Sequence, residues 1–236
     1  MKRIAIFVEG QTEQIFIHRL VREILGENKV SIVMKRSRGG ATIPKQEIVK
    51  GASFSRNPDY YVLINDCGAD NRVKSEIMEN LENLSEKGYK YIIGVRDLYP
   101  LHEKDYPRLE KGMNFLPKHY KTYRNALKII IIIQEVETWF LAETHHLKKV
   151  DKRLNGSFIN KYLGFNPFSM DVTQRRHPSR DLNDIYRLVG KSYTKRHWQV
   201  EKLVNKLDFD NVIRNLKYDI PSLGQLVDAL ENARKK

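Results

Sequence analysis

The segment IAIFVEGQTEQIF, residues 4–16, gives the clearest indication of the fold class of this chain. Ile4–Val8 is a continuous apolar run rich in β-branched residues, which is typical of a strand buried on both faces. The chain then passes through Glu9 and Gly10, and Gln14–Leu25 has the apolar spacing of a helix. Glu9 is therefore either a solvated turn residue or a ligand held at the end of a buried strand, and a metal ion is the favoured partner.

The same alternation of strand and helix continues along the chain. Further strands are predicted at Val30–Met34, Tyr60–Ile64, Tyr89–Val95 and Ala126–Ile133, with a helix at Val73–Lys87 and a helical piece at Lys45–Lys50. This order predicts an α/β fold in which helices flank a mainly parallel sheet. The strand signal fades near residue 144. We therefore expect a core of residues 1–143 and a mostly helical C-terminal part, residues 144–236, that covers one edge of the sheet.

Four of the five predicted strands end in acidic residues. These are Glu9, Asp66, Asp97, and Glu135 together with Glu137. Ligand sites of parallel sheets gather at the carboxyl ends of the strands, so these carboxylates are expected to converge. Carboxylate oxygens suit Mg²⁺ or Mn²⁺. Glu135 and Glu137 either point to one face of a strand as a ligand pair, or one of them supports the N-terminus of the helix that follows.

The charge balance indicates a polyanionic partner. The formal net charge is +13, and residues 101–236 carry 26 basic and 16 acidic residues against 16 and 13 in residues 1–100. Such a balance favours nucleic acid. A single cysteine, Cys67, excludes an intrachain disulfide, and without a nearby histidine it is not expected to be a nucleophile. The apolar runs are too short for a signal peptide or a membrane span, which predicts a cytoplasmic protein without membrane contact.

Three places offer basic side chains for phosphate. The segment Lys35–Gly40 is predicted to be a loop that either grips phosphate or is a plain surface loop. Arg96 lies beside Asp97, and the stretch Arg175–Trp198 combines cations with aromatics, as in sequence-tolerant nucleic-acid binding, although a solvated helix face explains it equally well. The candidate contacts are Lys35, Arg36, Arg38, Arg96, Arg176, Arg180, Lys195 and Arg196.

Two other pairs of residues receive structural interpretations. His145 and His146 lack the cysteine partners or spacing of a zinc site, so they are predicted to lie on a helix surface. Trp139 and Phe140 are predicted to anchor their helix in the core.

The segment VEGQTE, residues 8–13, resembles the first motif of the TOPRIM fold, the metal-binding module of topoisomerases, primases and overcoming-lysogenization-defect nucleases. The chain as a whole is similar to a TOPRIM-related family of bacteria and archaea, domain of unknown function 4276. The segments that carry the resemblance are VEGQTEQIF, IIGVRDLYP, QEVETWFLAE, HPSRDL and GKSYTKR, and they are spread over most of the length.

The resemblance implies that Glu9 is a metal ligand or general acid/base. RDLYP would take the place of the Asp-x-Asp motif, with Asp97 as its aspartate. The chain departs from that motif, because Val95 and Tyr99 occupy the positions two before and two after Asp97. A two-metal centre would then need a further carboxylate from Asp66, Asp70 or Glu137.

Two functions follow as hypotheses. The first is a TOPRIM-like, Mg²⁺- or Mn²⁺-dependent nuclease in which Glu9, Asp97 and Glu137 are catalytic and Lys35, Arg36 or Arg96 offsets transition-state charge. The second is a non-catalytic basic module that binds nucleic acid or docks on an ATPase. Family members often lie beside ATPase genes, which implies a partner ATPase and a role in defence against phages or plasmids.

Overall fold

The computed structural model describes residues 1–40, 43–69 and 71–235. They form one six-stranded sheet with helices packed on both of its faces. The strand order is β3-β2-β4-β1-β5-β6. All neighbouring strands are parallel except β3, an edge strand that runs antiparallel to β2. The strands are β1 Lys2–Val8, β2 Val30–Gly40, β3 Ile43–Ser53, β4 Tyr60–Asp66, β5 Tyr89–Asp97 and β6 Leu127–Ile132.

Helices connect β1 to β2, β4 to β5 and β5 to β6, and helices joined by turns and loops form the C-terminal part that the structure describes. They are α1 Gln11–Leu25, α2 Arg72–Glu86, α3 Tyr106–Asn114, α4 Glu137–Ala142, α5 His145–Val150, α6 Gly156–Leu163, α7 Pro178–Arg187, α8 His197–Val204, α9 Phe209–Asn211, α10 Lys217–Asp219 and α11 Pro221–Lys235. Short 3₁₀ turns lie at Glu27–Lys29, Glu103–Asp105, Lys118–Tyr123 and Val172–Gln174, and a π turn at Val212–Leu216 joins α9 to α10. The predicted α/β class with a helical C-terminal part is confirmed.

Alternating side chains of the central strands point to two hydrophobic cores, one on each face of the sheet. In β1, Ile4, Ile6 and Val8 face α1, whereas Ala5 and Phe7 face the opposite side, where α2 and α3 pack. Every one of these five residues is buried, as expected for a parallel sheet covered on both faces. The strand signal in the sequence is strong for this reason.

The C-terminal helices pack beside α1 on the same face of the sheet. One hydrophobic core runs from β1 through Trp139 and Phe140 to Leu223 and Leu230 of α11, which also contacts the edge strand β6. The burial of Trp139 and Phe140 confirms their predicted core role. The division at residues 143/144 stays a prediction. Within the described residues, no helix is both long and apolar enough to span a membrane.

Strands β2 and β3 pair as an antiparallel hairpin, and two predictions for these residues are wrong. The helical piece predicted at Lys45–Lys50 is part of β3, and the loop predicted at Lys35–Gly40 is the second half of β2. The polar sequence of β3 lacks an alternating apolar pattern because most of its side chains are exposed. Pairing with β2 supplies its backbone hydrogen bonds instead.

The chain reverses its winding direction between β1 and β5. Helix α1 leaves β1 on one face and leads to β2, while α3 follows β5 on the other face and leads to β6. The carboxyl ends of two such adjacent strands open a crevice, which is where open α/β sheets bind their ligands. Glu9 and Asp97 lie at this crevice.

Candidate functional site

Glu9 and Asp97 meet at the ends of adjacent strands. Val8 of β1 pairs with Val95 of β5, which places the next residues of both strands side by side. The backbone N–H of Asp97 donates to Glu9 Oε1 over 2.8 Å, and Arg96 Nε lies 3.8 Å from the same oxygen. Both carboxylates are buried, so neither is a solvated turn residue. Asp97 Oδ1 is buried and has no hydrogen-bond partner among the described residues.

Glu13 is a further acid of the site that the sequence reasoning left out. It lies in the first turn of α1, where its Oε2 accepts a hydrogen bond from the backbone N–H of Gly10 over 3.1 Å. Burial, and then the charge of Glu137, raise its pKa from 4.5 to about 7. The helix was predicted to begin at Gln14, which excluded Glu13 from the helical turn beside Glu9. The spacing of the two acids, four residues apart, was the available signal.

Glu137 and Glu135 enter the site from the other side. Glu137 is the first residue of α4 and is completely buried. Its Oε1 accepts from the hydroxyl of Tyr193 over 2.8 Å, and its Oε2 lies 3.1 Å from Lys195 Nζ. Lys195 Nζ also donates to Glu135 Oε1 over 3.0 Å, while the backbone N–H of Ser179 donates to Glu135 Oε2 over 3.3 Å. Both glutamates therefore share one lysine, although only Glu137 belongs to the helix.

Glu9, Glu13, Asp97, Glu135 and Glu137 form an acid cluster in which the carboxylates act on one another through their charges. Burial raises the pKa of Asp97 well above its usual range, and the carboxylates of Glu13, Glu9 and Glu137 raise it further. Burial also raises the pKa of Glu137, against the attraction of Lys195. For Glu135 burial acts upward too, but Lys195 and Ser179 hold its pKa below the ordinary value. A cluster of this kind is destabilised by its own negative charge until a cation neutralises it.

Backbone strain marks the same place. Gln134 and Lys195 are the two residues other than glycine with positive φ in the described chain, at 65° and 56°. Left-handed backbone costs such residues on the order of 1–2 kcal/mol each. Gln134 directly precedes Glu135, and Lys195 contacts Glu135, so both strained residues lie next to the acid cluster. Strain of this kind is often retained at functional sites.

Carboxylate oxygens are the ligand type that a hard divalent cation takes, and the cluster presents them on Glu9, Glu13 and Asp97. Two buried oxygens of the cluster, Asp97 Oδ1 and Glu137 Oε2, have no hydrogen-bond partner among the described residues. Within the described chain, no group of three or more Asp, Glu, His or Cys side chains is arranged so that it could hold a metal ion. Glu135 and Glu137 are engaged by Lys195 instead.

Asp66 belongs to a different group of charges. Strand β4 lies between β1 and β2, and Asp66 Oδ2 faces β2, 3.4 Å from Arg36 Nε. Burial raises its pKa, against the charges of Arg36, Lys50 and Arg38. The structure therefore does not bring Asp66 into the acid cluster. Asp70 lies outside the described residues.

The predicted basic contacts are spread over two sides of the crevice. On the hairpin, Lys35 pairs with Glu47 at 2.8 Å, Arg36 pairs with Asp66, and Arg38 is exposed. On the C-terminal side, Arg176, Arg180 and Arg196 are exposed. Arg176 lines a cavity of about 390 Å³ together with Gln134, the residue next to Glu135. Lys195 is the basic residue of that side that enters the acid cluster.

Of the remaining predictions, those for Cys67 and His145 agree with the structure and the one for His146 does not. Cys67 is completely buried and its pKa is raised by burial, in line with the prediction that it is not a nucleophile. His145 is exposed as predicted, but the surface location predicted for His146 is wrong. His146 is completely buried, and its backbone N–H donates to Glu143 Oε2 over 3.0 Å. Burial of a polar side chain with a local carboxylate partner leaves no periodic trace in the sequence.

Comparison with known proteins gives one match. The family model described as domain of unknown function (DUF4276) matches residues 8–231, nearly the whole chain. No curated protein and no solved structure matches. The matched range begins at Val8, just before Glu9, and includes every residue of the acid cluster. This chain belongs to the DUF4276 family.

Proposed function

We propose that this chain is a divalent-metal-dependent phosphodiester hydrolase, a TOPRIM-like nuclease that acts on nucleic acid. One observation carries the proposal: Glu9, Glu13, Asp97 and Glu137 are all buried together at the crevice where the sheet reverses its winding. Their mutual repulsion is unfavourable for the folded state without a cation.

Each carboxylate has a distinct part in this proposal. Glu9 and Asp97 would hold the ion, because the Asp97 N–H bond already fixes them to one another and Asp97 Oδ1 has no hydrogen-bond partner among the described residues. Glu13 would offer a further carboxylate oxygen from the first turn of α1. Mg²⁺ or Mn²⁺ would supply Lewis-acid chemistry, which lowers the pKa of water and offsets charge on a phosphate.

Two cations border the carboxylates. Arg96 lies next to Glu9, and Lys195 lies next to Glu135 and Glu137, with about 41% of its side chain exposed. Positive groups fixed beside a reaction centre stabilise the negative charge that develops on a phosphate. Lys195 can face solvent and the buried glutamates at once, so it is the stronger candidate for contact with substrate. Glu137 and Tyr193 position it.

Nucleic acid is the proposed substrate because of where the basic residues lie. Arg38 is exposed on one side of the crevice, and Arg176, Arg180 and Arg196 are exposed on the other. A polyanion that crosses the acid cluster would pass basic side chains on both sides, which favours phosphate contacts that do not depend on sequence. A partner ATPase and a role in defence against phages or plasmids rest on the resemblance alone.

The test is cleavage of labelled single- and double-stranded DNA and RNA with Mg²⁺, Mn²⁺ or EDTA. Glu9→Gln and Asp97→Asn should each lower metal-dependent cleavage by at least about a hundredfold, since each removes a charged ligand. Glu82→Gln, an exposed glutamate of α2, is the matched control and should cleave like the wild type. Equal cleavage by all four proteins would point to a contaminating nuclease and contradict the proposal.

Lys195 also favours a second candidate function, a non-catalytic basic module that binds nucleic acid or docks on an ATPase. Its ammonium group already neutralises Glu135 and Glu137, as a metal ion would. In that case no protein in the cleavage assay would cut, and binding of nucleic acid would be salt-sensitive and unchanged by Glu9→Gln.

A further inference from the structure

A second cavity lies away from the acid cluster, between the end of α5, the end of α7 and helix α8. Its volume is about 420 Å³, within the range of small-ligand sites. Ten described residues line it, and none of them belongs to the acid cluster. Three of the ten are lysines and none is acidic. The cavity therefore concentrates positive charge at one place.

Two of these lysines contact backbone carbonyl groups, and the charge of Lys191 adds to that of Arg153 in lowering the pKa of the nearby Asp151 carboxyl group. Lys206 Nζ donates to the backbone carbonyl of Lys149 over 2.8 Å, and Lys191 Nζ donates to the carbonyl of Val150. Carbonyl groups orient an ammonium group but carry no net charge. Asp151 itself pairs with Arg153 over 2.9 Å, and across residues 1–40, 43–69 and 71–235 no carboxylate lies within ion-pair distance of Lys191, Lys202 or Lys206. An anionic ligand is the missing counterpart.

An exposed tryptophan forms another part of the cavity wall. Trp198, near the start of α8, has 56% of its surface exposed, whereas Trp139 is buried in the core. The exposed part of Trp198 gives the lysine-lined cavity an aromatic surface. Aromatic faces of this kind stack nucleobases without regard to sequence. Trp198 and the lysines together match a base that carries phosphate.

We propose that this cavity is a nucleotide-binding site, in which the base stacks on Trp198 and the phosphate is bound by Lys191, Lys202 and Lys206. The ligand is either a free nucleotide or one unit of a single-stranded nucleic acid, because both present the same base and phosphate. The proposal concerns a site separate from the metal chemistry and does not depend on it.

The site is linked to the acid cluster by one short segment. Gln199 lines the cavity and holds the segment before α8, through bonds from its side chain to the carbonyl of Ser192 and from the N–H of Thr194 to its Oε1. Tyr193 and Lys195 of that segment contact Glu137. A nucleotide bound in the cavity would therefore contact residues that are joined to the acid cluster through this segment.

The test is isothermal titration calorimetry in EDTA with four probes: ATP, adenosine, tripolyphosphate and a hexamer of thymidylate. ATP or the hexamer should bind more tightly than adenosine or tripolyphosphate, because only these two carry base and phosphate together. Trp198→Ala should weaken that binding by at least about tenfold, since it removes the stacking surface. Lys202→Ala should weaken it by at least about threefold and reduce its salt dependence.

Matched controls remove the same kinds of side chain elsewhere. Tyr162→Ala deletes another exposed aromatic with a lysine over its ring, and Lys90→Ala deletes an exposed lysine at the other end of the sheet. Both should bind like the wild type, and circular dichroism should show that all variants fold. Tight binding of ATP identifies a free nucleotide as the ligand, and binding of the hexamer alone identifies a strand. Absence of binding by every probe, or equal binding by Trp198→Ala, Lys202→Ala and the wild type, would overturn the proposal.

Discussion

Replacement of Glu13 by glutamine should make the folded protein more stable at neutral and alkaline pH. The carboxyl group of Glu13 has a pKa of about 7 in the folded protein against an ordinary value of 4.5, because it is buried and faces Glu137. Between these two values the unfolded chain releases its proton while the folded protein keeps it. Stability therefore falls as pH rises through this interval and stays low above it.

The size of this effect follows from the two pKa values. Each tenfold change in proton affinity corresponds to about 1.4 kcal/mol, so the ionised Glu13 costs the folded state about 3 kcal/mol at pH 8. Glutamine keeps the oxygen that accepts from the Gly10 N–H and carries no charge. We expect Glu13→Gln to match the wild type at pH 4.5 and to be more stable by about 2–3 kcal/mol at pH 8.

The assay is urea unfolding in EDTA at several pH values, followed by the fluorescence of the buried Trp139. Glu82→Gln is the control for loss of an exposed carboxylate and should follow the wild-type profile. Addition of Mn²⁺ at pH 8 should stabilise the wild type more than Glu13→Gln, because a ligand that binds the folded state raises its stability. Equal stability of Glu13→Gln and the wild type at pH 8, or lower stability of the variant, would show that ionised Glu13 does not destabilise the folded protein.

Three further predictions concern other features of the fold. Lys195→Met should lower the free energy of unfolding by about 1–3 kcal/mol at pH 8, because the ionised Glu137 loses its ion-pair partner. The loss should be smaller at pH 5, where a protonated Glu137 carries no charge, and denaturant titration at both pH values checks this. Gly94→Ala should cost about 1–3 kcal/mol in the same titration, since an added Cβ would lie 2.8 Å from Ile77 Cδ1, and an unchanged midpoint would contradict this. Cys67 should react with an aromatic disulfide reagent only after unfolding, because burial raises the pKa of its thiol; fast reaction of the native protein would show that the segment opens.

The sequence predicts the centre of the molecule well because burial on both faces leaves an unmistakable apolar run. Strands β1, β4, β5 and β6 were placed correctly to within two residues, and the meeting of Glu9 with Asp97 follows from the shared edge of parallel strands. The same rule wrongly predicts that Asp66 joins the acid cluster. Strand β4 ends at the same edge of the sheet, but the strand order places Asp66 beside Arg36 of β2. Local sequence patterns do not reveal the strand order.

Other features depend on contacts that local patterns do not encode. Strand β3 has mostly exposed side chains, so its sequence lacks the alternation that predicts a strand. Helix α1 begins three residues earlier than predicted, because Gly10 and the polar residues after it gave no apolar signal, and Glu13 was missed for that reason. Lys195 was predicted to bind phosphate, and its ion pairs with Glu135 and Glu137 bring together residues sixty and fifty-eight positions apart.

Binding of Mn²⁺ at pH 8 tests most directly whether the buried carboxylates form a divalent-metal centre. Titration calorimetry should compare the wild type, Asp97→Asn and the exposed control Glu82→Gln. We predict saturable binding by the wild type and the control, and at least about a tenfold weaker affinity for Asp97→Asn, which loses one charged ligand. No saturable binding by the wild type, or the same affinity for all three proteins, would contradict a metal centre at this site.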